Sequence, residues 1–222
     1  MENFSPLGWL KSMTPEFQDE VITRARLVSF DRGMPIYLQG EDAGGLFGLI
    51  EGILEVSIVQ ASGQPALIYL ARRGWWFGAL EIFTQGPRRF QIEARTDCKL
   101  MFLSSGQVRQ ICRAGPDNWE AFAQLMCANY ESMAAAVAMM RLPSPEARII
   151  RALQILYFRQ SETEETVEAT QSDIASVANV SIRAAASALA QIERAGLIRR
   201  GYRNVTILDP ALLSEAAGSD IK

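Results

Sequence analysis

"ATQSDIASVANVSIRAAASALAQIERAGLIRRGYRNVTIL", Ala169 to Leu208, decides the fold of this chain. Thr170, followed three residues later by Asp173, is a capping box: each side chain satisfies the other residue's backbone N–H, and a short helix opens there. Asn179-Val180 makes a turn, and Ser181 caps a second helix running to about Ala195, with Gly196 as its natural stop. Two helices across so short a turn match the helix-turn-helix pattern. "LIRR" and "NVTIL" then read as strands around a Gly201–Asn204 turn, which makes a wing. Between Thr170 and Thr206 stand five arginines (183, 194, 199, 200 and 203) against Asp173 and Glu193, a local balance of +3 in a chain of net charge −3. A basic patch on an acidic chain is where a DNA backbone would lie.

Immediately upstream, "EARIIRALQILYFRQ" has helical spacing, with Ile149, Leu153 and Leu156 on one face. The hinge "RLPSP" separates it from a longer helix, "GPDNWEAFAQLMCANYESMAAAVAMM", which Pro116 starts, with Asp117 as its cap, and Pro143 and Pro145 end. About 25 helical residues span roughly 37 Å, more than a small domain requires for its own packing. Trp119, Ala123, Met126, Tyr130, Met133, Val137 and Met140 recur at spacings of 4, 3, 4, 3, 4 and 3, an unbroken a/d seam. The spacing predicts a homodimer through these seven residues. The competing arrangement is a helix that spends the same face on its own domain.

The N-terminal half has a different rhythm. From about Ser29 to Leu103, glycines punctuate short apolar runs such as "LFGLI", "ILEVSIV", "PALIYLA" and "CKLMFL". In "ILEVSIV" Leu54, Val56 and Ile58 alternate with Glu55 and Ser57, the period of a strand with one buried face. "SGQ" at 62–64 is a turn between two such runs. Many short strands at near-regular spacing predict a rolled antiparallel barrel. "TPEFQDEVITRARLV" precedes them as a helix, Thr14 its N-cap and Pro15 its first residue.

Composition narrows the function. Of 222 residues, 49 % are apolar and 21 % charged, which is globular rather than disordered. No apolar run approaches the ~18 residues that span a bilayer, and the N-terminus lacks a signal peptide's pattern, so a cytoplasmic protein is expected. The chain has no histidine, which removes Ser-His-Asp and Cys-His catalysis, HExxH zinc sites and histidine-ligated haem. Cys98, Cys112 and Cys127 form no metal or disulfide pattern; they read as small buried apolar residues, with a redox role at Cys127 the alternative. Glu164 and Glu165 fall in the polar stretch "RQSETEETVEA", a solvated loop rather than a catalytic dyad. No enzyme, cofactor or metal is expected.

In this arrangement of parts the chain resembles the catabolite-activator/FNR family of bacterial transcription regulators. The resemblance rests on "GWWFGALEIF…RRF", similar to that family's phosphate-binding cassette, and on "QSDIASVANVSIRAAASALAQIERAGLI", similar to its helix-turn-helix. It implies an α+β fold: an effector domain with a cyclic-nucleotide-binding-like β-roll at 1–115, a dimerisation helix at 116–142 and a winged helix-turn-helix at 143–222. It further implies a dimer on a palindromic promoter site, double-stranded DNA and RNA polymerase as partners, and a small anionic effector in the roll. The corresponding pocket is Gly78, Ala79, Leu80, Arg88 and Arg89. Arg88 matches the phosphate-binding arginine, and Arg89 stands where a serine is usual.

The departures weigh against cyclic AMP. Where cyclic-AMP-binding members carry an acid for the ribose, this chain has Ala79; where a Thr/Ser pair meets adenine, it has Met133 and Ala134. Each lost hydrogen bond costs about 1–3 kcal/mol. Trp75 and Trp76 read as core and rim of the roll. An iron–sulfur sensor of the FNR type lacks its N-terminal cysteines, since residues 1–97 contain none. The DNA-binding set is Thr170, Gln171, Ser181, Ile182, Arg183, Ser187 and Arg203. Ile182, Arg183 and Ser187 stand where the family presents Arg, Glu and Arg to base edges, so a different half-site is expected. The alternative function is an effector-sensing or protein-docking module of the same fold with degenerate DNA readout.

Overall fold

The computed structural model describes residues 6–157 and 166–216. They fall into two compact units, residues 1–132 and 133–222. The first begins with a 3-10 turn at Gly8–Ser12 and helix α1 (Pro15–Arg24), where the Thr14 hydroxyl accepts the Phe17 N–H at 3.4 Å.

Two four-stranded antiparallel sheets follow. One has the order β1 (Arg26–Phe30), β8 (Cys98–Ser104), β3 (Gly45–Glu51), β6 (Trp76–Phe77). The other runs β2 (Pro35–Tyr37), β7 (Gln91–Ala94), β4 (Leu54–Val59), β5 (Pro65–Ala71). The β4–β5 hairpin turns at Gly63, φ +79°, inside the "SGQ" signal. Short helix α2 (Ala79–Thr84) leaves β6 directly, and α3 (Ser105–Ala114) leaves β8 directly. Helix α3 was not anticipated. Ser104 ends the strand and caps the helix at once, its side chain and that of Gln107 completing a capping box.

One core joins α1, α2, α3 and the first turns of α4 (Pro116–Met140) to the first sheet. Trp9, Phe17, Trp76 and Phe122 meet there at ring distances of 5.6 Å, in mostly edge-to-face contacts. Both indole N–H groups are satisfied by carbonyls, Trp9 on Ala121 at 2.8 Å and Trp76 on Leu7 at 3.0 Å. Between the sheets Tyr37, Phe47 and Phe77 form a second aromatic group, and half-buried Trp75 stacks on Phe77 at 4.6 Å. Burial pushes the thiol of Cys112 up to about 11, and that of Cys98 also upward; Cys127 is exposed.

The second unit holds α5 (Pro145–Tyr157), α6 (Gln171–Val177), α7 (Ile182–Arg194) and α8 (Pro210–Ala216). Its antiparallel sheet has the order β10 (Ile198–Gly201), β11 (Asn204–Ile207), β9 (Thr166–Val167). Strand β9 corrects the reading of "RQSETEETVEA" as loop throughout: Val167 pairs with Val205 and is fully buried. Glu164 and Glu165 lie outside the described residues. Among the described residues no helix is long and apolar enough to cross a membrane.

Candidate functional site

The helix-turn-helix is assembled by its caps. Thr170 Oγ1 accepts the Asp173 N–H at 3.2 Å, and Asp173 returns a carboxylate oxygen to the Thr170 N–H at 2.7 Å. Asn179 turns the chain at φ +50°, its carbonyl held at 3.1 Å by Nη1 of Arg148 on α5. Ser181 then caps α7 through the Ala184 N–H at 3.1 Å. Ala185, Ala188, Leu189 and Ile192 face inward at helical spacing, so the small residues that leave little for readout are the ones that seat α7 closely. Arg183, Ser187, Gln191 and Arg194 form the exposed ridge opposite.

The predicted DNA-binding residues divide into two groups. Thr170 and Ser181 use their hydroxyls as caps, and the half-buried Gln171 donates Nε2 to the Ile182 carbonyl at 3.1 Å. Arg183, Ser187 and Arg203 are exposed, with side chains free of hydrogen bonds and ion pairs among the described residues, and the Ile182 side chain is 57 % exposed beside them. Across an open groove of about 420 Å³, lined by Gln171, Leu189, Glu193 and Arg200, stands the wing. Its turn is Tyr202-Arg203, with Arg203 at φ +60° and Tyr202 90 % exposed.

Sequence reading missed how the wing is tied down. Glu193 near the end of α7 takes the Arg200 backbone N–H at 2.8 Å and its guanidinium at 2.7 Å. That N–H, then the guanidinium, hold the Glu193 carboxyl below the usual glutamate range. A lowered folded value means the tie is intact at neutral pH and is lost as pH falls through that lowered value. In an NMR titration Glu193 is therefore expected to protonate below an ordinary glutamate, with the Arg200 amide reporting the same midpoint. Arg200→Ala removes the guanidinium but keeps the backbone N–H, so it should return Glu193 only part of the way to the ordinary value.

In the first unit the expected anion pocket is arranged otherwise than its sequence suggests. Gly78 turns from β6 into α2 at φ +94°. A Cβ there would lie 2.6 Å from the Gly45 carbonyl oxygen and 2.8 Å from Arg88 Nη1, so only glycine fits. Ala79 is 1 % exposed and presents a methyl group; Leu80 points outward. Arg88 and Arg89, paired in sequence, are parted: the Arg89 side chain is exposed and Arg88 is 2 % exposed. The Arg88 guanidinium lies 4.1 Å over the Tyr37 ring. Its Nη2 donates to the Gly45 carbonyl at 2.8 Å, and its Nη1 to the Gly78 carbonyl and to Glu81 Oε2, both at 3.2 Å. Glu81, itself 3 % exposed, takes the Arg89 backbone N–H on its other oxygen at 3.1 Å. Glu81 was passed over in sequence, although a lone acid inside the apolar run "ALEIF" was a signal for it.

On α4 two faces separate. Ala121, Phe122 and Leu125 are buried, and Asn129 donates Nδ2 to the Trp76 carbonyl at 3.2 Å. Of the predicted seam, Trp119 (50 %), Tyr130 (74 %), Val137 (56 %), Met140 (45 %) and Ala123 are exposed, while Met126 and Met133 are half-buried. The helix begins at Pro116, which puts Asp117 inside its first turn rather than at the cap.

Residues 27–114 match the sequence model of the cyclic nucleotide-binding domain, and residues 147–216 that of the Crp-like helix-turn-helix domain. Over 215 residues, 95 % of this chain and 96 % of the relative, the sequence is 24 % identical to the CRP-like cAMP-activated global transcriptional regulator of Mycobacterium tuberculosis. It is 28 % identical over 198 residues to the transcriptional regulator LdrP of Thermus thermophilus, covering 87 % and 97 % of the two chains. FixK2 from Bradyrhizobium japonicum shares the fold at a TM-score of 0.72 and 16 % identity, with 89 % and 99 % covered. The two domain matches follow one another in the order the motifs predict and together take in more than two thirds of the sequence: the chain belongs to the Crp/Fnr family of transcription regulators.

Proposed function

We propose that the protein acts as a homodimer on a palindromic operator and regulates transcription without cyclic AMP. The observation that carries this is the exposed ridge of α7, Arg183 to Arg194, set beside a wing whose Arg199 and Arg203 face solvent. Phosphate contacts from the wing fix register, while the start of α7 reads base edges in the major groove. The exposed apolar stripe from Trp119 to Met140 supports pairing of two α4 helices, which gives the two half-sites their two-fold relation. A dimer seated at a promoter places RNA polymerase within reach as a partner.

The relative from M. tuberculosis is described as cAMP-activated. This chain departs from that control at Ala79, whose buried methyl cannot accept a ribose hydroxyl's hydrogen bond. Selection of genomic fragments by the purified, unsupplemented protein is expected to enrich one palindrome, and calorimetric titration with cyclic AMP to show no micromolar binding. Absence of any enriched palindrome would overturn the DNA reading in favour of a docking module; micromolar cyclic AMP affinity would overturn the effector reading.

A further inference from the structure

We propose that Glu81 is the roll's built-in ligand: its carboxylate occupies the anion place on Arg88, and the site takes a small carboxylate from solution only when Glu81 is removed. This rests on the reading that the roll answers to no cyclic nucleotide, and it supplies the physical reason.

The donors around Glu81 are those an anionic effector would demand. One carboxylate oxygen faces the Arg88 guanidinium and the other the Arg89 backbone N–H. Neither residue of the pair reaches solvent, with side-chain exposures of 1 % for Arg88 and 3 % for Glu81. A guanidinium so buried requires a counter-charge, because an uncompensated ion in the interior is strongly destabilising. Three of the five Arg88 N–H donors are spent on Gly78, Glu81 and Gly45, and Nε, which has no partner, is buried out of a visitor's reach.

Tyr37, whose ring covers the guanidinium, is neutral, since burial pushes its hydroxyl well above the ordinary tyrosine value. The carboxylate is thus the counter-charge that touches Arg88. It is also covalently tethered seven residues away in sequence, so an external anion competes with a ligand whose effective concentration is in the millimolar range or higher. An effector at micromolar concentration does not displace it.

The test is the full chain and its Glu81→Ala variant, melted in sodium formate or acetate against sodium chloride at equal ionic strength. The wild-type midpoint is expected to move equally in all three salts. The variant should melt several degrees lower in chloride and regain several degrees in formate with a saturable dependence, because formate refills the space beside Arg88. A carboxylate-specific, saturable rise in the wild type, or none in a folded variant, would overturn the proposal. Should Glu81→Ala not fold, Glu81→Gln decides: it keeps shape but loses charge, and should melt several degrees low until Arg88→Met is added. An unchanged Glu81→Gln midpoint, or no recovery on adding Arg88→Met, counts against the proposal. Calorimetric titration of the unaltered chain with cyclic AMP bears on the nucleotide reading alone, and the formate melts bear on Glu81 alone, so the two readings fail separately.

Discussion

Val137→Glu is expected to give a folded monomer that no longer holds a two-half-site operator. Val137 is 56 % exposed at the centre of the last heptad of the α4 seam, so its own chain loses little packing when it is replaced. Glutamate is also the better helix former of the two. Across a dimer axis the same change sets two like charges into an apolar interface. Burying them uncompensated costs at least about 4 kcal/mol, roughly a thousand-fold in self-association. Sedimentation equilibrium with circular dichroism separates the outcomes: a dimeric variant with unchanged helicity would place the interface away from this stripe.

Arg183→Ala should have the next largest effect. Arg183 lies in the first turn of α7, exposed and without an internal partner among the described residues, and it is the charged side chain in that turn. Its planar fork suits the two acceptors of guanine, worth about 1–3 kcal/mol per half-site. On a palindrome two copies are lost, so affinity should fall by roughly 30-fold to 10⁴-fold while preference relaxes at one base position. Arg203→Ala should behave differently. A phosphate contact on the wing carries no sequence information, so all operators should weaken alike, with the salt slope flattened by about one unit per contact. Titrations of matched and single-base-changed operators at several salt concentrations read both. A uniform loss with Arg183→Ala would leave Arg183 to the backbone and move the readout to Ile182 or Ser187.

What could be read from the sequence was what local chemistry writes locally. Thr14-Pro15, Thr170 with Asp173, and Ser181 are caps whose partners lie within three residues, and each opens a helix where expected. Helix α3 carried the same signal in Ser104 and Gln107, but Ser104 is both the last strand residue and the cap, and Gly106 in the first turn reads as a break rather than as helix. Strand β9 is two residues long and is held by β11 some forty residues later; nothing in "TEETVEA" calls for it. Helix α4 overlays two patterns. The stripe through Tyr130 and Val137 was legible as a repeat, whereas Phe122 and Leu125 became a second face only through the aromatic group they join. In the roll, the glycine turn at Gly78 and the alanine that follows it could be read. The Glu81–Arg88 pair could not, because it requires the chain between them to fold back.

That pair ties two positions of the chain together. Restoring an acid by Ala79→Glu alone would sink a second carboxylate beside an arginine already neutralised, at a position that is 1 % exposed. Removing Glu81 alone would strand the guanidinium. Each single step is harmful, while the two together exchange one carboxylate for another, so the two positions are coupled. Thermal melts of the two single variants and the double variant are expected to show this as non-additivity, the double change losing less than the two single losses combined.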